Sequence, residues 1–278
     1  MRVPIAAVLA SIAFACLVAM GIAAPAGLPD KSGAAALLDQ FRRSVYAEAI
    51  YVDFDLRQMP RRGDERLFHG RFWGARNERG PVTRFELDAG AGGPVRHILV
   101  QGGPDGALWV SDGAGKGSRD DNALLAPLVP GVEMTPFDLQ MPYLYWLDVD
   151  LAGEERIRGR LAYAYVFTPS AEFMAGSPGI KAVRAYLDTQ YDALMQSEII
   201  GASGRVAKTL SLLELRRVGD RWIPRDLDVR NEATRDKTRL SVTGVAIGIS
   251  VDPSTFDPAQ LGASAAPPPG ASITRVTQ

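Results

Sequence analysis

The stretch from Arg160 to Leu261 constrains the fold most. Four segments follow one another there: Arg160–Phe167, Arg205–Leu215, Arg221–Val229 and Lys237–Val245. Each alternates apolar and polar residues, and turn residues separate them. Alternation at a period of two gives every such strand one apolar and one polar face. A chain built mainly of such strands, with no cluster of catalytic side chains, is better suited to holding something than to converting it.

The same pattern fills the first half. Ile50, Val52, Phe54 and Leu56 alternate with Tyr51, Asp53, Asp55 and Arg57, and strand-like runs follow at Leu67–Trp73, Val82–Leu87, His97–Gln101 and Ala107–Ser111. Ahead of them, Ser32 is placed to cap a helix over Ala34–Ser44, with Leu37, Leu38, Phe41 and Val45 on one face. From Ser111 the pattern breaks. Asp112–Asp121 is polar and Gly-rich, and Ala123–Leu128 is a short apolar helix candidate. Thr135-Pro136-Phe137-Asp138 has the form of a helix start: a Thr cap, Pro in the first turn and an acid at the positive dipole end. Pro142 ends or kinks that helix. Strands are expected to resume near Arg156, and a helix or loop at Glu172–Lys181 precedes a strand at Ala182–Asp188.

The termini read differently. After Met1-Arg2 no charge occurs until Asp30, Val3–Ile22 is apolar, and small residues follow at Gly21, Ala23, Ala24 and Ala26. That describes a secretory signal peptide over residues 1–26, cleaved before Ala24 or Gly27, and hence a periplasmic protein. The competing readings are an uncleaved membrane anchor, for which the run is long enough, and acylation of Cys16. Cys16 is the only cysteine, so the mature chain has no disulfide, no thiol nucleophile and no Cys-based zinc site. From Gly262 the chain is rich in Ala, Pro, Gly and Ser, and residues 262–278 are expected to be disordered or polyproline-like.

Charge and motifs exclude several functions. With 31 basic and 32 acidic residues and no basic run, nothing points to nucleic acid or anionic headgroups. The two histidines, His69 and His97, sit singly on strands and have no metal-ligand spacing. Gly113–Ser118 fails as a phosphate loop because Gly117, not Ser or Thr, follows Lys116. The acidic pairs Asp53/Asp55, Asp120/Asp121 and Asp226/Asp228 read as solvated faces rather than glycosidase or calcium carboxylates. No catalytic residue, metal or cofactor is therefore expected.

Several motifs occur in a telling order: Gly70-Arg71-Phe72-Trp73, Arg84-Phe85-Glu86-Leu87 and Asp105-Gly106-Ala107-Leu108-Trp109. Leu151–Arg160, Phe167-Thr168-Pro169, Val183–Asp188, Asp220–Pro224 and Val251–Pro258 continue it. From about Leu37 to Leu261 the chain resembles the LolA-like outer-membrane lipoprotein carriers, and its second half resembles the outer membrane lipoprotein-sorting branch. The resemblance implies a mainly β (α+β) fold over residues 33–261. Its core would be an open, strongly curved antiparallel half-barrel, with helices of an insert at about 121–147 forming a lid over an apolar concave face. It also implies a periplasmic carrier, a monomer, that takes acyl chains of lipoproteins or other lipids from an inner-membrane exporter to an outer-membrane acceptor. The alternatives are a lipid-sensing regulatory or scaffold protein of the same fold and, further off, an extracytoplasmic hydrolase. Within this frame the cavity residues are Phe54, Phe72, Phe85, Trp109, Tyr163 and Tyr165. The lid residues are Phe137, Leu139, Tyr143, Leu144 and Trp146, and Arg76 is a candidate rim residue. In the carriers a Pro follows that rim arginine; here Asn77 does. Alternation alone does not tell the concave face from the convex one.

Overall fold

The computed structural model describes residues 29–44, 48–88, 93–113, 115–177, 179–190 and 193–276. The proposed signal peptide lies outside them. Among the described residues fourteen strands form one antiparallel sheet. They are β1 (Ile50–Met59), β2 (Arg66–Asn77), β3 (Gly80–Asp88), β4 (Val95–Gln101), β5 (Ala107–Asp112), β6 (Ser118–Arg119) and β7 (Asp148–Ile157). Then come β8 (Arg160–Thr168), β9 (Ile180–Asp188), β10 (Leu194–Gly201), β11 (Val206–Val218), β12 (Arg221–Asn231), β13 (Lys237–Ile247) and β14 (Thr274–Arg275).

The spatial order is β6-β5-β4-β3-β2-β1-β13-β12-β11-β10-β9-β8-β7, with β14 added to β13. Two meanders thus run outward from the centre, where β1 pairs with β13, and the outermost strands β6 and β7 do not meet. The sheet is open. Register shifts at Asp53/Phe54, Ile199/Ile200, Leu212/Glu214 and Leu151/Gly153 mark β-bulges. Bulges bend a strand and raise its twist, which lets one sheet curl around its own contents.

Those contents are α1 (Lys31–Ser44) and the segment between β6 and β7. Ala34, Leu38 and Phe41 of α1 share one core with side chains of both meanders. So do Leu128, Val129, Met134, Phe137, Leu139, Met141, Tyr143 and Leu144. Fully burying one such side chain contributes about 1.5–3 kcal/mol, so this filling is a main source of stability.

The opposite face is covered differently. Tyr51, Trp73 and Ala246 pack under Ile249, Val251, Phe256 and Ile273, while Val82 and Leu99 pack under Leu261. Residues 249–276 form a strap across the back of β1–β5. Of the tail expected to be disordered or polyproline-like, residues 264–269 carry no helix or strand, and Pro269 is extended (φ −49°, ψ 133°). Arg84, its side chain only 2% exposed, donates to the Thr255 carbonyl (3.2 Å), the Leu261 carbonyl (3.0 Å) and the Ala263 carbonyl. Glu86 accepts from Arg84 (2.9 Å), from both Nε and Nη2 of Arg71 (2.9 and 2.7 Å) and from the Ala265 amide (2.7 Å). The order of this Ala/Pro-rich segment comes from the sheet beneath it, not from its own composition.

Two further expectations change. β7 begins at Asp148 rather than near Arg156, and β10 is a further strand between those predicted on either side. Among the described residues no helix is long and apolar enough to cross a membrane.

Candidate functional site: the filled concave face

Strand parity and register bring the aromatic side chains together. Val52 faces Phe72 across β1–β2, and Phe72 faces Phe85 across β2–β3. The Phe54 and Phe72 rings lie 6.1 Å apart, and those of Phe72 and Phe85 5.6 Å. Opposite Phe54 stands Gly70, where a Cβ would come within 2.5 Å of the Phe54 ring. Glycine is required there because the ring lies flat over the neighbouring backbone.

A second aromatic group forms where β8 meets the lid. Tyr165 and Phe167 are 6.4 Å apart, and Phe167 is 5.4 Å from Tyr143. Phe137 touches Tyr143 at 5.8 Å and Trp146 at 6.3 Å. Phe173 of α3 (Ala171–Gly176) packs on Trp146 at 5.0 Å. The Tyr165 hydroxyl donates to the Ala34 carbonyl of α1 (3.1 Å). Burial, with Tyr163 alongside, pushes the Tyr165 hydroxyl up to about 12. Burial also raises Tyr143, against the opposing influence of the Ser197 hydroxyl.

Phe54, Phe72, Phe85, Tyr163 and Tyr165 therefore lie on the concave side in one core, each 4% exposed or less. Trp109 does not. It pairs with Leu99 and packs beside Leu261 under the strap, on the other face. Its assignment to the cavity is corrected: the register of β5 against β4 puts Leu108 inside and Trp109 outside. Phe137, Leu139, Tyr143 and Leu144 are buried among the concave-face residues, and Trp146 is half-buried at their margin.

The lid segment is built as its residues predict. Thr135 caps α2 (Pro136–Gln140): its hydroxyl accepts from the Asp138 amide, while Asp138 accepts from the Thr135 amide. Met141 ends the helix in the left-handed region (φ 48°), and a 3-10 turn follows at Pro142–Tyr145. A non-glycine residue in that conformation is uncommon and carries strain, so Met141 marks the joint of the segment.

Polar contacts tie the lid to the sheet. Lys208 of β11 donates to the Glu133 carbonyl (2.8 Å) and to the Asp138 carboxylate (3.0 Å). Thr238 accepts from the Glu133 amide (2.7 Å), and Asn231 donates to the Glu133 carboxylate (3.1 Å). On the other side Arg42 of α1 donates to the Leu144 carbonyl (2.5 Å). Arg76, exposed at the end of β2, reaches the hydroxyl of Tyr145; burial raises that hydroxyl, and Arg76 and Arg42 draw it back. Nothing in the sequence singled out Lys208, Arg42 or Tyr145, since their partners are set by the tertiary fold.

Charged groups elsewhere are absorbed by pairing. His69 lies 2.6 Å from Asp55, and His97 lies 3.7 Å from Glu86, so both histidines have cross-strand carboxylates that their spacing did not reveal. Asp228 takes both Nε and Nη2 of Arg239, and Asp226 accepts from Ser241. A polar cleft of about 560 Å³ lies on that outer face, with Arg158, Glu198, Asp228 and Arg230 in its wall. Another of about 380 Å³ runs under the strap beside Trp73 and Arg84. Among the described residues no group of three or more His, Cys, Asp or Glu side chains is placed to hold a metal ion.

Comparison with known proteins agrees with this geometry. A DUF1329 family protein from Desulfovibrio piger superposes with a TM-score of 0.71 at 14% identity, over 83% of this chain and 98% of that one. An outer membrane lipoprotein-sorting protein domain from Vibrio parahaemolyticus gives 0.64 at 13%, over 79% and 94%. A LolA superfamily protein from Nitrosomonas europaea gives 0.63 at 15%, over 80% and 96%. A family model described as "Uncharacterized protein" matches residues 131–263, from the lid to the strap. No curated protein matches. At such identities the likeness defines the fold: the chain is built as a LolA-like open sheet.

Proposed function

We propose that this protein is a periplasmic carrier that binds the acyl chains of lipoproteins or other lipids on its concave face. One observation carries the reading. The inner face of the sheet is lined by aromatic and aliphatic side chains, and much of what covers it is a short segment jointed at Met141 that packs its own apolar side chains there and is tied to β11 by Lys208. An acyl chain costs about 0.8 kcal/mol per CH₂ to expose to water, so a carrier must offer a dry surface and still release its load. A surface that exchanges lid side chains for acyl carbons does both, and affinity then follows area rather than a few hydrogen bonds. Phe54, Phe72, Phe85, Tyr163 and Tyr165 would line the acyl site; Phe137, Leu139, Tyr143, Leu144 and Trp146 would vacate it; Arg76 would hold the rim through Tyr145. In this reading the protein is a monomeric carrier, not an enzyme, its leader is cleaved, and it receives cargo from an inner-membrane exporter and passes it to an outer-membrane acceptor.

Transport rather than catalysis is favoured by a fold neighbour described as an outer membrane lipoprotein-sorting protein domain. The test is mass spectrometry of organic extracts from protein purified from the periplasm. Near-stoichiometric lipid, lost when the lid is locked closed, is the expected result. Protein that carries no lipid, and that neither binds nor transfers acylated probes, would end the proposal.

A further inference from the structure

The sheet is split near its centre. β12 pairs with β13 only from Asp226↔Ser241 to Arg230↔Lys237. Earlier in β12, residues 221–224 pair with β11 alone, and later in β13, Val242 and residues 244–247 pair with β1 on one side. Pro224 lies in the part of β12 that leaves β13. Proline has no N–H to give a ladder and belongs on edges, so the divergence is written into Trp222-Ile223-Pro224. At its far end the gap is spanned by Arg221 and Glu48, 3.6 Å apart.

The gap is filled by the chain's own C-terminal segment. β14 pairs with β13 through Gly244↔Arg275 and Val245↔Thr274, and the Val276 amide donates to the Thr243 carbonyl (3.0 Å). Ile273 stays on the outer face with Tyr51 and Trp73, whereas Val276 passes inward and joins the core of the concave face. Gly244 permits the crossing: a Cβ there would lie 3.0 Å from the Ile273 side chain. The backbone of the segment is held by two registered pairs and one further hydrogen bond, both paired residues are exposed, and the Arg275–Asp53 contact is a 3.7 Å surface pair, of a kind that contributes little.

We infer that the split between β12 and β13 is a strand-addition site, held in cis by residues 273–276 and open to an extended segment of a partner polypeptide that displaces them. The segment in place states the chemistry of that partner. A β-branched residue sits outside, two polar or basic residues run along the edge, and a β-branched apolar residue three positions after the first enters the core. Main-chain hydrogen bonds to Thr243–Val245 would give affinity, and the inserted side chain specificity, as in other β-augmentation sites. The inference does not depend on what fills the concave face, although an occupant would reach the core there.

The test uses the full chain with Val276→Asp, which places a charge where the core admits none and so vacates the gap. A fluorescent peptide with the sequence of residues 271–278 serves as probe. The variant is expected to bind it at least tenfold more tightly than the wild type, and a peptide carrying Asp in place of its Val is expected not to bind. A folded variant with no gain over the wild type would overturn the inference. Wild-type hydrogen exchange decides even where the variant fails to fold. The Val276 amide is expected to exchange at least a hundredfold faster than the β1 amides paired with β13, and equal protection would refute displacement. A concentration-dependent wild-type dimer that Val276→Asp abolishes would also refute it, by showing that the occupant is a second copy of the chain.

Discussion

Lys208→Met should lower stability and raise affinity for acyl ligands at the same time. The Lys208 ammonium is largely buried and bonds the Glu133 carbonyl and the Asp138 carboxylate, which is itself only 3% exposed. Hydrogen bonds to charged groups contribute about 1.5–3 kcal/mol each. Methionine keeps the aliphatic stem, and Asp138 keeps its Thr135 partners, so the net loss should sit near the lower end, about 1.5–2 kcal/mol. All of it falls on the closed lid. If cargo requires the lid to leave, the fraction of competent protein rises by the same free energy, and apparent affinity rises about 10- to 30-fold. Urea unfolding and titration with a fluorescent fatty acid measure the two quantities. Equal or weaker binding by a folded, destabilised variant would show that lid and ligand do not compete, because a fixed core element can only lose affinity when loosened.

Other outcomes follow from single contacts. Burial opposes ionisation of Glu86, but the nearby His97 ring, the Ala265 amide and Arg71 overcome it and hold the carboxyl at about 2, against an ordinary value of 4.5. Because the folded value is depressed, the stabilisation is complete above pH 4.5 and is lost as pH falls toward 2; Glu86→Gln should remove up to about 3 kcal/mol at neutral pH and flatten the acid limb of a thermal-melt series. Gly70→Ala should cost about 1–3 kcal/mol because Phe54 must leave its place, which denaturant midpoints would show. Trp109→Leu should leave fatty-acid affinity within about twofold, since the indole lies under the strap and about 1.4 kcal/mol would be needed for a tenfold change.

Much of the fold was legible in alternation. Ile50, Val52, Phe54 and Leu56 do share one buried face, and the predicted strands from Arg160 onward coincide with β8, β11, β12 and β13. Thr135, Pro136 and Pro142 likewise gave the lid its short, jointed form, because caps and prolines act locally. What was not legible depends on register or on distant partners. Trp109 and Leu108 alternate equally well either way, and only pairing with β4 decides between them. The outer β7 is acidic and half exposed, so its first residues read as loop. The contacts of the Ala/Pro-rich tail were not legible because Ala263 and Ala265 are held by Arg84 and Glu86, more than 170 residues earlier in the chain.

In the proposed mechanism the lid and an acyl chain occupy the same apolar surface in turn. Hydrogen exchange across residues 135–147, followed with and without a bound fatty acid, tests it most directly. Bound ligand is expected to strip protection from the amides after Met141 and to shift the emission of Trp146, while β1 and β13 are unchanged. Equal, strong protection of the whole segment in both states would contradict it and make the lid a permanent part of the core.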